Sequence, residues 1–195
     1  MIESRPHQEL ELKAVIPDLV AVRRRLVEAG AVLIFRGRMQ DRRYDRHHEL
    51  DRADQVLRTR RMVPENGAAG MILGWKGPAR VSEDGYKLRE ELEYQISGGT
   101  DPEPLLRALG FVEVFAIDRW IETWAVGGAT LRLEQYPLMD PLIEVEGEPA
   151  GIETAIQISG IDRDEFRTDS LAEFVARYQK RTGRTARVSG DVARL

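Results

Sequence analysis

Cysteine is absent from the 195 residues, which removes disulfides, thiolate zinc sites and thiol nucleophiles from consideration. Long apolar runs are missing too: nothing approaches the roughly 20 residues of a membrane span. Met1 to Gln8 carries no apolar stretch of the kind a signal peptide needs, so a soluble, cytoplasmic protein without a membrane partner is expected. Nor is there an excess of one charge, because 29 basic residues face 33 acidic ones for a net charge of −4. That balance gives no reason to expect a nucleic-acid partner and makes the local placement of charge matter more than its sum. With thiolates excluded, carboxylates become the metal ligands to look for. The chain is 42% hydrophobic, enough for one domain with a core of its own.

The charges themselves are patterned. In Glu9-Leu10-Glu11-Leu12-Lys13 they occupy every second position, and the same alternation returns at Arg58-Thr59-Arg60, Lys87 to Glu93, Arg132-Leu133-Glu134 and Glu144-Val145-Glu146. Side chains alternate between the two faces of a strand, so Glu9, Glu11 and Lys13 project together while Leu10 and Leu12 point the other way. Strands are expected near 8–15, 32–46, 55–63, 71–77, 86–96, 112–125, 129–135 and 141–148. Turn residues at Pro64-Glu65-Asn66-Gly67, Ser82-Glu83-Asp84-Gly85 and Gly127-Gly128 favour reversals, hence antiparallel pairing.

Helices are expected between these strands. Pro17 and Asp18 open one whose apolar residues Leu19, Val22, Leu26 and Val27 keep a helical period up to Gly30. Thr100-Asp101-Pro102-Glu103 has capping-box spacing ahead of Leu105, Leu106 and Leu109. A third helix is expected at about 151–158, and a fourth after Asp169 with Leu171, Phe174, Val175 and Tyr178 on one side. Residues 1–181 form one domain in this reading, and 182–195 form a loose polar tail. If most strands turn charge to one side, the sheet must curl until that side is enclosed yet wet, because unpaired charge is costly to bury dry. The expected fold is therefore α+β, a water-filled antiparallel barrel with helices packed outside over Leu10, Leu12, Leu131 and Leu133.

Two carboxylates one pleat apart, as in Glu9/Glu11 and Glu144/Glu146, stand roughly 6–7 Å from each other and can converge on one ion. Hard divalent cations such as Mg²⁺ or Mn²⁺ suit such oxygen ligands, and Glu134 adds another. Arg58 and Arg60 share a face, with Lys76, Lys87 and Arg89 nearby; arginine's planar fork grips phosphate oxygens in pairs. A salt-bridged sheet surface is the plainer explanation of any one of these pairs. His7, His47 and His48 form no metal motif and read as solvated. Trp75, Trp120 and Trp124 read as packing residues able to stack on a base. Arg23-Arg24-Arg25 reads as a solvated helix face, and apolar strips beyond what four helices cover would suit a homodimer.

Taken in order, these pieces resemble the CYTH superfamily, the triphosphate tunnel metalloenzymes, which include class IV adenylate cyclases, thiamine triphosphatases and inorganic triphosphatases. The resemblance runs over about residues 7 to 180. It begins at Glu9-x-Glu11-x-Lys13 and continues through Leu57-Arg58-x-Arg60, Lys76-Gly77-Pro78 and Arg89-x-Glu91, ending with Glu134 ahead of Glu144-x-Glu146. It implies an eight-stranded antiparallel tunnel. Glu9, Glu11, Glu91, Glu134, Glu144 and Glu146 would lie on the metal side, holding Mg²⁺ or Mn²⁺, and Lys13, Arg58, Arg60, Lys76, Arg89 and Arg119 on the phosphate side. Glu9, Glu11 and Lys13 would be the catalytic signature. The chain departs from the family in three places: Ile121 stands where a second basic residue usually follows Arg119, Glu134 replaces an aspartate, and Met139-Asp140-Pro141 replaces a glycine. The function implied is a metal-dependent triphosphatase acting on a small triphosphate: inorganic, thiamine or nucleoside. The alternatives are a class IV adenylate cyclase, forming cyclic AMP and pyrophosphate from ATP, and a non-catalytic polyphosphate or nucleotide binder.

Overall fold

Period-two patterning becomes a closed wall in the computed structural model, which describes residues 7–97 and 100–192. Met1 to Pro6, over which no signal segment was expected, and the last three residues of the expected tail lie outside the described residues. Eight long strands make the barrel: β1 (His7–Val15), β2 (Val32–Asp45), β3 (Val56–Pro64), β4 (Gly70–Lys76), β6 (Lys87–Ile96), β7 (Val112–Val126), β8 (Ala129–Gln135) and β9 (Leu142–Gly147). A two-residue β5 (Arg80–Val81) lies beside the start of β6. Round the wall the order is β1-β9-β8-β7-β2-β3-β4-β6, all antiparallel. Closure comes from β6 returning to β1, with Glu9 opposite Arg89 and Glu11 opposite Lys87. A closed barrel leaves no open sheet edge to template aggregation.

The hydrophobic core lies outside this wall. Leu12, Ala14, Leu131, Leu133, Ile143 and Val145 face outward from β1, β8 and β9 and are essentially fully buried. Helices α1 (Leu19–Glu28) and α4 (Pro149–Ser159) cover them with Val22, Leu26, Ile152, Ala155 and Ile156. Burial of such side chains contributes about 1.5–3 kcal/mol each and keeps the opposite, charged faces of the same strands turned inward. Asp18 caps α1 by accepting the Ala21 N–H at 2.9 Å.

Three further α-helices complete the fold. They are α2 (Glu49–Arg52), which the sequence pattern does not announce, α3 (Glu103–Ala108) and α5 (Leu171–Thr182). The expected Thr100 capping box is not formed: α3 begins after Pro102, and the Glu103 N–H bonds Asp101 instead. On α5 the cap is Ser170, boxed with Glu173, one residue beyond the expected Asp169. Phe174 of α5 packs on Ile117, Tyr136 and Leu142, which face the barrel interior.

Beyond α5 the chain is held by hydrogen bonds as far as Gly190, where its polar composition led to the expectation of a loose tail. Arg187 and Leu138 exchange backbone hydrogen bonds, the Asp118 N–H donates to the Val188 carbonyl at 2.8 Å, and the Gly190 N–H donates to the Asp118 carboxylate at 2.7 Å. The Val188 carbonyl satisfies a backbone N–H of β7, and Arg187 pairs with Leu138 beyond β8.

Candidate active site

Inside the barrel is one open cavity of about 830 Å³. All twelve residues singled out from the sequence line it: Glu9, Glu11, Lys13, Arg58, Arg60, Lys76, Arg89, Glu91, Arg119, Glu134, Glu144 and Glu146. Alternation places them there. Glu9, Glu11 and Lys13 come from β1, Arg58 and Arg60 from β3, Glu144 and Glu146 from β9, while their apolar neighbours build the outer core. The size suits a small ligand. The tryptophans do not line it; the aromatic side chains that do are Tyr44, Phe115 and Tyr136.

The charges sort into three neighbouring groups. The first is acidic. Lys76 Nζ donates to Glu9 at 3.0 Å and also to Glu91, and Glu91 and Glu146 share hydrogen bonds with Glu9. Burial works against the Glu9 charge, but Lys76 and these hydrogen bonds outweigh it and hold its pKa far below the usual range. The opposite holds for its neighbours. Burial, reinforced by the hydrogen bond to Glu9, raises Glu91 to about 8 against the pull of Lys76. Burial and the same acid likewise raise Glu146 to about 8 against the pull of Arg132.

The second group centres on Lys13, whose Nζ lies 2.8 Å from Glu11 and 2.7 Å from Glu144. Burial disfavours its charge, yet the two carboxylates raise its pKa above the ordinary lysine value. Lys87 adds a bond to Glu11 at 2.6 Å, and Arg132 bonds Glu144. The third group is built on Asp41, which is 2% exposed. It accepts from Arg60 Nε at 2.8 Å and Nη2 at 3.0 Å and from Arg119 Nη2 at 2.8 Å, with Arg58 4.0 Å away. Burial opposes its charge, but Arg60 and Arg119 hold it well below the carboxylate range. Glu134 belongs here, accepting from Tyr136 and lying 3.4 Å from Arg119.

The six expected metal-side acids are thus not equivalent. As the side chains stand, no group of three or more acidic or histidine residues among the described residues is arranged to hold a metal ion. Glu11 and Glu144 are engaged by Lys13, and Glu134 by Tyr136 and Arg119. Glu9, Glu91 and Glu146 are also paired, the first two with Lys76 and the third with Arg132 at 3.6 Å, but they alone are joined to one another through shared hydrogen bonds, and the buried Oε2 of Glu146 lacks a hydrogen-bond donor. Such a set fits a hard divalent cation, which can take the place of the shared protons.

A pH dependence follows. Glu91 and Glu146, each near 8, carry protons below that pH and lose them above it. A cation entering among them displaces those protons, so Mn²⁺ affinity should rise as pH increases to about 8 and level off beyond, with a slope approaching ~2 log units per pH unit well below it. Mn²⁺ titrations at four pH values between 6 and 9 measure this. A flat profile would remove Glu91 and Glu146 from the cation site.

The cavity also holds residues to which the sequence reading gave no role there. Asp41 is the pivot of the arginine group, and Arg43, Glu93, Arg132 and Tyr136 face inward beside it. Glu93 accepts from Arg58 at 2.8 Å. Arg132 and Glu93 lie on strands whose alternation is plain. Asp41 and Arg43 are hidden by Arg42, which turns outward to Asp118 at 2.9 Å and makes Asp41-Arg42-Arg43 look charged on both faces.

No family model and no curated protein sequence matches the chain. Solved structures do. The PH1819 protein of Pyrococcus horikoshii OT3 is 25% identical, covering 87% of this chain and 98% of its own, with a TM-score of 0.70. A candidate adenylate cyclase from Vibrio parahaemolyticus is 17% identical over 88% of this chain and 99% of its own, TM-score 0.71. A candidate adenylyl cyclase from Hippeastrum, described as having a dominant triphosphatase activity, is 17% identical over 90% and 96%, TM-score 0.59. The chain thus shares the closed antiparallel barrel of these solved structures, the fold that the order of its motifs implies.

Proposed function

We propose that this protein is a metal-dependent triphosphatase acting on a small triphosphate. The observation that carries this reading is the juxtaposition, within one wet cavity, of a proton-sharing acid cluster at Glu9, Glu91 and Glu146 with a set of buried guanidinium groups at Arg58, Arg60 and Arg119. Nε atoms of Arg58, Arg89 and Arg132 are buried without a hydrogen-bond acceptor, so the wall retains donors for an anion.

Phosphoryl transfer asks chiefly for positioning and charge neutralisation. Arg58, Arg60 and Arg119 would grip the phosphate oxygens and stabilise charge on the departing group, being already oriented by Asp41 rather than reorganised on binding. Lys76 bridges the two sides, since it bonds Glu9 and Glu91 yet carries a charge able to reach phosphate. Lys13, locked between Glu11 and Glu144, would position those acids. Mg²⁺ or Mn²⁺ held by Glu9, Glu91 and Glu146 would supply Lewis-acid polarisation of a phosphoryl oxygen.

A panel of inorganic, thiamine and nucleoside triphosphates with Mg²⁺ or Mn²⁺ tests the proposal. Metal-dependent phosphate release is expected, and release no faster than from a Glu9→Ala/Glu11→Ala control would sink it. A class IV adenylate cyclase is the second reading, supported by a cavity volume that admits a nucleoside as well as three phosphates. Cyclic AMP and pyrophosphate from ATP would favour it. Saturable binding without turnover would favour a binding module instead.

A further inference from the structure

The barrel closes on itself, but β2 outruns it. β3 pairs with β2 only from Gly37 onward, and past that point the Glu65 N–H donates to the Arg36 carbonyl at 2.9 Å. From Val32 to Phe35 the strand has β7 on one side and, among the described residues, no strand on the other. This stretch is apolar and open to solvent: Val32 is 60% exposed, Leu33 37% and Ile34 58%. Neighbouring side chains reach solvent together because the pairing with β7 slips between Leu33 and Phe35, leaving Ile34 as an extra residue.

The bulge bends the tip, but no charge guards it. Free strand edges are ordinarily protected by lysine, proline or an inward-pointing charge, and Val32-Leu33-Ile34-Phe35 contains none of them. β-branched and aromatic side chains favour extended pairing instead. Val27, near the end of α1 and 63% exposed, adds apolar surface just before the turn into β2.

Charge decides what can sit there. Let the segment pair antiparallel with itself about a two-fold axis between Leu33 and Ile34: Val32 then comes opposite Phe35, and Leu33 opposite Ile34. Arg36, the first charged residue past the stretch, lies opposite Ala31 of the second copy, towards the end of that copy's α1 and its exposed Glu28. The two copies of Arg36 stand at opposite ends of the pairing. Apolar therefore meets apolar, no like charges face each other, and each cation approaches an acid. The segment is its own complement.

We infer that Val32–Phe35 is a self-association edge, on which a second copy of this chain adds antiparallel to give a two-fold dimer. The sheet then runs from β7 and β2 of one copy into β2 and β7 of the other, and both free edges are used up. Such a contact closes at two copies instead of growing into a fibre. With four strand residues a side and little flanking surface, it belongs with small, reversible interfaces, at a dissociation constant of about 10 µM. The cavity residues Arg43, Tyr44 and Asp45 lie at the opposite end of β2, so the pairing leaves that end of the cavity uncovered.

Sedimentation velocity on the full chain, over concentrations spanning that value, tests this with Ile34→Lys and Leu105→Lys beside the wild-type protein. The wild-type protein should pass from monomer to dimer as concentration rises, and Ile34→Lys should weaken the association by about tenfold or more. Leu105, 63% exposed on α3, leads towards the opposite end of the β2–β7 pair, so Leu105→Lys should leave the dimer unchanged. On the wild-type protein alone, hydrogen exchange among the backbone amides of Val32–Phe35 should slow as concentration rises, because pairing occupies them. A monomer at every concentration overturns the inference and leaves the edge to a partner of another kind. A dimer that survives Ile34→Lys, or amide exchange in this stretch that ignores concentration, overturns it as well.

Discussion

Glu9→Ala should lower metal-dependent triphosphate hydrolysis by roughly 10²–10³-fold while leaving the barrel folded. Glu9 is the shared acceptor of the acid cluster, bonded by Lys76 and joined to both Glu91 and Glu146. Removing it takes one ligand from the cation site and leaves Lys76 its second partner, Glu91, so no buried charge is stranded. Its ionised form is held by Lys76 and the shared hydrogen bonds, so the melting temperature should fall modestly, and the Glu91 pKa should fall from its value near 8 because the group that holds its proton is gone. Phosphate release with Mn²⁺ and thermal melts on one preparation make the check. Undiminished turnover would show that the cluster is structural.

Asp41→Ala should act chiefly on the fold, destabilising it by about 3–5 kcal/mol. This carboxylate is the anion on which Arg60 and Arg119 converge, with Arg58 behind them, and all four side chains are at least nine-tenths buried. Without it, cations face one another in a closed wall. In a chain of this length that loss corresponds to a melting temperature lower by about 10 °C. Tripolyphosphate should restore part of it, since an anion against the same arginines replaces the missing charge. A variant that melts like the wild-type protein would mean the arginines are solvated well enough to need no counter-ion.

The two substitutions also show what the sequence could reveal. Where charge and apolar residues alternate cleanly, as in Glu9 to Lys13 and Glu144-Val145-Glu146, strand, facing and site are legible together, because one pleat decides all three. Those strands lie close to their expected positions. Asp41 was not legible as a site residue, because Arg42 beside it serves an unrelated outer contact with Asp118 and masks the period. Pairing was also beyond the pattern: that Lys13 would be taken up by Glu11 and Glu144, and Glu134 by Tyr136 and Arg119, depends on strand register. Short elements escaped for a different reason. Helix α2 and strand β5 are too brief to show any period, and the segment beyond Thr182 is held by backbone hydrogen bonds that composition does not encode.

A crystal structure of the protein soaked with tripolyphosphate and Mn²⁺ addresses the pairing of cation and polyanion most directly. Anomalous scattering from Mn²⁺ should appear among the carboxylates of Glu9, Glu91 and Glu146, with phosphate oxygens against Arg58, Arg60 and Arg119. Both ligands on the outer face of the barrel, or phosphate bound without displacing any of these side chains' present partners and remote from them, would contradict it.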